Sequence, residues 1–276
     1  MAQSLRNSGT LGLVALVVPD VGDPYFGEIY LHLQQAALMR GESLLLGSHT
    51  ESLDLQRDLL RQMAKNRPAS IILVPAPGTT AADVQEINDH DIPLIVLDRP
   101  IEGVEVDTVL AANEAGATRL VNQLSFDDGE RVAIVSLPTT IWTQDRRFRA
   151  TEQALAARGI EPTVVIAEPA LSAPTGAAFQ PIFDLDVGTI LSMSVPPAMG
   201  VLRLAKQLGA RAPRIACFDR HPWFDLVGHD IVSVVQDPEE VAHQVSHHVQ
   251  RRRENPQAAS ITSVISFRDV GDLAGH

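Results

Sequence analysis

The feature that most constrains the fold of this chain is a regular alternation between short apolar segments and stretches long enough for a helix. Segments such as Ile71–Val74 and Leu94–Leu97 are apolar at every position, which is typical of parallel strands buried on both faces. Strands that alternate with helical patterns at this spacing indicate βαβ units. The sequence therefore predicts an α/β protein built on parallel sheets.

Ten strands are predicted, at Leu11–Val18, Ser43–Leu46, Ser70–Val74, Leu94–Leu97, Val132–Ser136, Thr163–Ile166, Gly188–Leu191, Ile215–Phe218, Ile231–Val235 and Ser263–Ser266. They can form one large sheet or two smaller ones, and a length of 276 residues suits two ordinary domains. The segment Glu102–Ala112 carries little pattern, and we interpret it as an irregular approach to a domain crossing. Helices are expected to begin at Asp23-Pro24 and at Asp237-Pro238, because Asp is a good N-cap and Pro suits the first turn. A further helix is expected to begin at Asn113.

The charge balance limits the partners that the chain can hold by itself. It has 22 Lys and Arg against 34 Asp and Glu, a formal net charge of −12. This argues against nucleic acid or an anionic membrane as a direct ligand, because both require clustered basic side chains. There is no apolar run of about 18 residues and no signal-peptide layout at the N-terminus, so a cytoplasmic protein without a membrane span is predicted.

Ligands of open parallel sheets bind outside the carboxyl ends of the strands. That rule selects eight segments: Asp20–Phe26, Ser48–Thr50, Pro75–Thr79, Asp98-Arg99, Leu137–Arg147, Met193–Pro197, Asp219–Trp223 and Gln236-Asp237. We call these the strand-end segments.

The strand-end segments hold both tryptophans, Trp142 and Trp223, although aromatic residues make up only 4% of the chain. Aromatic faces stack on the C–H faces of a sugar ring, carboxylates accept hydrogen bonds from its hydroxyls, and a guanidinium donates to two oxygens at once. The segments therefore suit a polyhydroxylated ligand. The alternative is that the aromatic residues cover loop hydrophobics and that the charges pair with each other.

No catalytic or metal-binding motif is evident. The chain lacks the phosphate-binding GxxxxGK[ST] pattern, a GxGxxG after the first strand and the GxSxG nucleophile elbow. Cys217 lies in an apolar strand and is interpreted as a buried structural thiol. Glu239, His243 and His247 share one helix face, which we interpret as solvated. We therefore predict no enzyme activity, no metal and no cofactor.

Several motifs point to a known family. They are Gly12–Val18, Asp23–Phe26, Thr50–Ser52, Ile92–Arg99, Asn113–Leu124, Gly129–Ala133, Cys217–Asp219 and Gln236–Pro238. Together these resemble the effector-binding domain of the lactose-repressor family (LacI/GalR) over about residues 2 to 270. The most specific stretch is Ile92–Arg99, which reads IPLIVLDR.

The resemblance implies a periplasmic-binding-protein-like type I fold, with two doubly wound lobes joined by three crossover segments. It implies residues 9–111 with 238–261 for the first lobe, and 112–237 with 262–276 for the second. Residues 1–8 resemble the end of a hinge helix, which implies that a DNA-binding helix-turn-helix preceded them. Family members bind a small effector, often a sugar, between the lobes and an operator as homodimers.

The resemblance also suggests site residues. Arg147 and Asp219 match effector-contacting positions, and Tyr25 and Phe26 match positions lining the pocket of the first lobe. Trp142, Trp223, Asp98 and Gln236 are added because they lie in strand-end segments. Two departures from the family pattern, Val195 and the short segment Ala212–Ile215, bear on the pocket of the second lobe.

Three functions follow as hypotheses. The leading one is the sensing domain of a cytoplasmic transcription regulator, in which effector binding modulates the affinity for operator DNA. The second is a sugar-binding component of a transport system with the same fold. The third is a doubly wound enzyme using Asp98 or Asp219, for which the sequence offers no paired nucleophile and base.

Overall fold

A computed structural model describes residues 12–168, 176–227 and 231–269. Residues 1–8, predicted as a hinge-helix remnant, lie outside this range. In chain order the strands are β1 Gly12–Val18, β2 Glu42–Ser48, β3 Ser70–Leu73, β4 Leu94–Leu97, β5 Asp107–Ala111, β6 Val132–Ser136, β7 Thr163–Ile166, β8 Thr189–Ser192, β9 Arg214–Phe218, β10 Ile231–Val235, β11 Thr262–Ile265 and β12 Arg268–Asp269. The helices are α1 Pro24–Met39, α2 Leu53–Lys65, α3 Ala81–Asp89, α4 Asn113–Asn122, α5 Trp142–Ala156, α6 Gln180–Asp184, α7 Val195–Leu208 and α8 Pro238–Glu254.

The chain divides into two compact units, each made of two separate stretches of sequence. The first comprises residues 1–110 and 238–263, and the second comprises residues 111–237 and 264–276. Each unit holds a six-stranded sheet, so the ten predicted strands form two sheets and not one. The predicted α/β class, with mostly parallel sheets, is confirmed.

The two sheets have the same strand order. It runs β11-β5-β4-β3-β1-β2 in the first and β12-β10-β9-β8-β6-β7 in the second, so β1 corresponds to β6 and β4 to β9. Backbone hydrogen bonds repeat in the same way. The amide of Asp98, just after β4, donates to Val109 at 2.8 Å, and the amide of Asp219, just after β9, donates to Val234 at 2.8 Å.

Both faces of the second sheet are packed. Along β6, Val132 and Ile134 belong to one buried cluster, with Phe218 and Phe267, whereas Ala133 and Val135 belong to another. Strands covered on both faces must be apolar at every position, which explains the unbroken runs in the sequence. Cys217 is fully buried in β9, as predicted.

All ten predicted strands are confirmed to within two residues at each end, and four match at both ends. Two strands were not predicted. The segment 102–112, interpreted as irregular, contains β5, whose first residue Asp107 is a fully buried carboxylate that breaks the apolar pattern. The two-residue strand β12, which pairs antiparallel with β10, is too short to carry a pattern.

The expected start of α1 is confirmed, because the Asp23 side chain accepts a hydrogen bond from the Tyr25 amide at 3.0 Å. On α8, Glu239, His243 and His247 are all exposed, as expected for a solvated face. In the part of the chain that the structure describes, no helix is long and apolar enough to cross a membrane.

Candidate functional site

Arg147 is the centre of a buried polar cluster in the second unit. It lies on α5, one turn and a half after the helix begins, and is only 4% exposed. Its Nε donates to Asn113 Oδ1 at 2.7 Å, and its Nη1 donates to the carbonyl of Met193 at 2.9 Å and to Asp219 Oδ2 at 3.3 Å. Among the described residues, Nη2 has no hydrogen-bond partner, so this nitrogen is available to donate to a ligand.

Two aromatic rings support the guanidinium of Arg147. Its Cζ lies 4.6 Å from the ring centroid of Phe218 and 5.3 Å from that of Phe267, within the range of a cation–π contact. The two rings meet edge to face at 5.2 Å. They leave little room for movement, because a Cβ built on Gly116 would lie 2.6 Å from Phe267. The orientation of Arg147 is therefore fixed by hydrogen bonds and by packing together.

Asp219 is the first residue after β9 and has a φ of +63°. This left-handed conformation is uncommon for residues other than glycine but is tolerated by Asp and Asn. Its side chain is 16% exposed, and one carboxylate oxygen faces Arg147. Left-handed residues with side-chain functions often occur at binding sites, where the surrounding structure offsets the strain. The pair thus offers guanidinium donors beside carboxylate acceptors.

The other predicted residues of the second unit differ in their surroundings. Trp142 begins α5 and is partly buried, with Arg146 Cζ 5.4 Å from its ring centroid. Gln236 directly follows β10 and is 4% exposed. Trp223 is 58% exposed and packs against the ring of His221 at 5.2 Å, whereas its neighbour Phe224 enters the core. Arg147 and Asp219 are thus the pair of predicted residues brought into contact here.

In the first unit, Tyr25 and Phe26 form a tilted aromatic pair at the start of α1, with ring centroids 5.1 Å apart. Asp98 follows β4 with a φ of +70° and is 5% exposed. Its carboxylate lies 3.4 Å from Nε of Arg99. Asp98 therefore occupies the position in the first sheet that Asp219 occupies in the second, and each has an arginine beside it.

Sequence reasoning missed Glu51 and Asn113 as parts of these clusters. Glu51 forms a bidentate ion pair with Arg99, with both N–O distances 2.6 Å, and Arg99 also donates to the carbonyl of Pro75 at 3.1 Å. Burial by itself lowers the pKa of Arg99, but the hydrogen bonds and charge of Glu51 outweigh it, so the pKa is raised. Nothing in the sequence pairs Glu51 with a residue 48 positions away.

His49 is a third residue that the sequence did not single out. It follows β2 and is fully buried, and its Nε2 lies 2.9 Å from the carbonyl of Val74. Burial lowers its pKa, which favours the neutral ring. Thr50 and Glu51 come next, with φ values of +48° and +59°. Two consecutive left-handed residues are strained, and this turn directs Glu51 back toward Arg99.

The two strand-end clusters, one around Arg147 and one around Arg99, can bind polar groups. Within the described residues, no group of three His, Cys, Asp or Glu side chains could hold a metal ion. Donors and acceptors lie side by side on rigid strand ends and helix starts. Such an arrangement is suited to recognising hydroxyl groups.

The comparisons with known proteins agree with this geometry. A family model described as periplasmic binding proteins and sugar binding domain of LacI family matches residues 11–180. The ribose operon repressor of Halalkalibacterium halodurans is 23% identical over 242 residues, which cover 86% of this chain and 71% of the repressor.

Solved structures show the same fold. The Cra transcriptional dual regulator of Pseudomonas putida, in complex with fructose 1-phosphate, superposes with a TM-score of 0.83 at 17% identity, covering 93% of this chain and 97% of that one. A periplasmic binding protein/LacI transcriptional regulator of Alkaliphilus metalliredigens QYMF, complexed with D-xylulofuranose, has a TM-score of 0.79 at 16% identity, covering 94% and 97%.

Proposed function

Because the chain belongs to the family of periplasmic binding proteins and sugar-binding domains of LacI-family regulators, we propose that it senses a sugar through the cluster centred on Arg147 and Asp219. The observation that carries this proposal is the pairing of the two side chains at 3.3 Å. The pair leaves Nη2 of Arg147 and the second oxygen of Asp219 for a ligand. A sugar hydroxyl both donates and accepts hydrogen bonds, so it complements both groups.

The proposed site residues are those expected from the sequence, with three additions: Asn113 in the second unit, and Glu51 and Arg99 in the first. Arg147 and Asp219 contact the sugar, and Asn113 holds the guanidinium in place. In the second unit, Trp142 and Trp223 supply apolar surface for the C–H faces of the ring, and Gln236 supplies a further polar contact. Tyr25, Phe26 and Asp98 are the candidate effector-binding residues of the first unit. Glu51 positions Arg99 beside Asp98.

The chain is the effector-binding domain of a regulator of the LacI family. As finer points, we propose that the regulator works in the cytoplasm as a homodimer, that it binds operator DNA and that it has no catalytic activity. Family relatives named as transcriptional regulators support this proposal. Binding of the sugar would change the affinity for the operator through the free-energy coupling of the two sites, which is typically about 1–3 kcal/mol.

A ligand screen tests sugar sensing. The chain is heated with each of a set of sugars, polyols and nucleobases, and the shift in unfolding temperature is measured. A bound sugar stabilises the folded chain by mass action, by about 2.7 kcal/mol at a concentration one hundred times its Kd. Trp142 and Trp223 give an independent fluorescence signal. If sugars and polyols shift neither signal while a nucleobase shifts both, the sugar assignment is wrong.

The regulatory role requires the full-length gene product. Its binding to DNA selected from a random pool is measured by fluorescence anisotropy, with and without the sugar found in the screen. We expect sequence-specific binding that the sugar changes about 5- to 150-fold. Turnover of the sugar, or DNA binding that does not respond to it, would contradict the proposal.

A further inference from the structure

We propose that the effector is an uncharged sugar and that the site rejects phosphorylated and acidic sugars. This inference rests on the proposed function and concerns the same site. Three observations support it: the carboxylate partners of the arginines in the strand-end segments, the residues at the N-termini of α1, α2, α3, α5 and α7, and the pairing of Arg147 with Asp219.

The first observation is that the arginines of the strand-end segments already have carboxylate partners. Arg99 is held by both oxygens of Glu51, and Arg147 by Asp219. The other two, Arg220 and Arg146, pair with Asp225 and Glu114. Among the described residues, the strand-end segments of the first unit contain one arginine and three aspartates, those of the second unit contain three of each, and neither set contains a lysine. Neither unit therefore offers an excess of positive charge to an anionic group.

The second observation concerns the helix N-termini, where backbone amides commonly bind phosphate. In the first unit, side chains already accept hydrogen bonds from amides at the starts of three helices, and each start also has an acidic residue. Asp23 caps α1, Asp83 accepts from both the amide and the hydroxyl of Thr80 ahead of α3, and Ser52 caps α2 with Asp54 in its first turn. A phosphate would have to displace these groups and would be repelled by the acids.

The helices that follow β6 and β8 in the second unit are closed to anions for different reasons. In α7 the second and third residues are Pro196 and Pro197, which have no N–H to donate. In α5 no side chain caps the first amides, but Asp145 lies in the first turn and disfavours a second negative charge there. An anion would therefore find two amides missing in α7, and at the uncapped amides of α5 it would meet the acidic side chain of Asp145.

The third observation is the chemistry of the Arg147–Asp219 pair itself. Nη2 can only donate, and the carboxylate can only accept. A hydroxyl satisfies both at once. An ionised carboxylate and the dianion of a phosphate monoester lack a proton to donate to Asp219, and the charge of either would lie beside the charge of Asp219. The pair consequently favours a neutral hydroxyl over an anionic oxygen.

Matched sugar pairs test the inference. Affinities are measured by calorimetry for ribose and ribose 5-phosphate, fructose and fructose 1-phosphate, glucose and gluconate, and galactose and galacturonate. We expect the tightest ligand to be a neutral member and its anionic counterpart to bind at least tenfold more weakly. An anionic member that binds more tightly than its neutral partner overturns this inference alone and leaves sugar sensing intact. If no sugar of either class binds, both proposals fail.

A substitution shows whether Asp219 causes the discrimination. Asp219→Asn removes the negative charge and keeps a residue that tolerates the left-handed backbone. We expect the ratio of neutral to anionic affinity to fall at least fivefold. Asp184→Asn, which removes one exposed charge outside the strand-end segments, should leave the ratio unchanged. An unchanged ratio in Asp219→Asn overturns the inference.

Inorganic phosphate gives a test that does not depend on the identity of the sugar. The wild-type chain is titrated with phosphate at constant ionic strength, with chloride as the reference. We expect no saturable rise in unfolding temperature up to about 10 mM. A saturable rise that disappears in Arg147→Met would show a phosphate site at the cluster and overturn the inference.

Discussion

At the scale of single residues, Arg147 is defined by what surrounds it more than by its own charge. Its Nε and Nη1 are bound by Asn113, the carbonyl of Met193 and Asp219, and two phenyl rings flank its guanidinium plane. A lysine could not make the same contacts, because it has a single side-chain nitrogen and no planar guanidinium group. The residue therefore presents Nη2 in one fixed direction.

Arg147→Ala and Asp219→Ala are each expected to weaken the binding of the sugar found in the screen about 10- to 150-fold. Each removes a hydrogen bond to a charged group, which contributes about 1.5–3 kcal/mol. Calorimetry of both variants measures the effect, and circular dichroism shows whether they fold. If both fold and both bind with wild-type affinity, the cluster is not the site.

Glycine substitutions test the packing beneath Arg147. A Cβ at Gly116 would lie 2.6 Å from the ring of Phe267 and 3.1 Å from that of Phe218, so Gly116→Ala must shift a ring that supports the guanidinium. We expect it to destabilise the fold by about 1–3 kcal/mol and to weaken sugar binding.

Gly27→Ala is the matched control for this substitution. It also replaces a helical glycine, but nothing lies within 4 Å of the added Cβ. The higher helix propensity of alanine should stabilise the fold by up to about 1 kcal/mol. Urea unfolding of both variants gives the comparison. Equal stability changes at the two positions would show that the rings move aside at no cost.

The sequence located part of this site but not its contacts. It placed Arg147 and Asp219 in strand-end segments, because strands and helices can be recognised from local pattern, and the family resemblance marked both as effector-contacting positions. It did not identify Asn113 or the carbonyl of Met193 as partners of Arg147. These residues lie 34 and 46 positions away in the sequence, respectively, and contact Arg147 only in the folded chain. Glu51 was missed for the same reason.

At the scale of secondary-structure elements, a buried carboxylate joins three parts of the first unit. Asp107, the first residue of β5, is fully buried and binds both Arg251 and Arg252 near the end of α8. It also accepts from the Ile261 amide at 2.9 Å, just ahead of β11. Burial raises the pKa of Asp107, but the hydrogen bonds from Arg252 and Ile261 and the arginine charges outweigh it, so the pKa is lowered.

We expect Asp107→Asn to reduce the free energy of unfolding by about 3 kcal/mol, because it leaves arginines partly buried without their counter-charge. The control is Asp269→Asn. Asp269 binds Arg119 with similar geometry, but both side chains are about 40% exposed, so its loss should cost less than about 1 kcal/mol. Urea unfolding measures both, and equal losses would contradict the role assigned to Asp107.

The same carboxylate explains why β5 was not predicted. A strand that begins with Asp looks like a loop, because local pattern does not show that two arginines about 144 positions later will neutralise it. Strands without such a residue were found readily, and β4, β6, β7 and β10 match their predicted bounds. Prediction from pattern fails where a distant contact decides the environment of a side chain.

At the scale of the whole molecule, two buried histidines should make stability depend on pH. His49 and His248 are both fully buried, and burial lowers the pKa of each below its ordinary value near 6.5. Between the folded pKa and 6.5, the unfolded chain binds more protons than the folded chain. The free energy of unfolding should therefore fall as the pH decreases through about 6.5.

Urea unfolding at pH 7.5, 6.5 and 5.5 measures this dependence. The slope per histidine approaches about 1.4 kcal/mol per pH unit where only the unfolded form is protonated. We expect His248→Gln to lower the free energy of unfolding at every pH and to make it depend less steeply on pH. The lowered pKa of the Asp107 carboxyl stabilises the fold above its unfolded pKa of about 3.9, and this contribution is lost only as the pH falls below about 5, outside the range of the measurement. A flat profile between pH 5.5 and 7.5 would contradict the expectation.

The division of the chain into two sheets was left open by the sequence, since strand patterns do not show which strands are neighbours. The family resemblance supplied the answer, and the repeated strand order of the two sheets supports it. No repeat is visible in the sequence itself. Burial requires the strand residues of both sheets to be apolar but does not require the same amino acid at corresponding positions.

The interleaved units have a consequence for how the protein is made. The first unit needs α8 and β11, which the ribosome produces only after it has synthesised all of residues 111–237. At roughly 5–20 residues per second, that stretch takes on the order of 10 s. During this interval the nascent first sheet has β5 exposed along an edge, and Asp107 lacks both arginines. Until β11 is synthesised, β5 is an unpaired edge strand, and unpaired edge strands can pair with other chains.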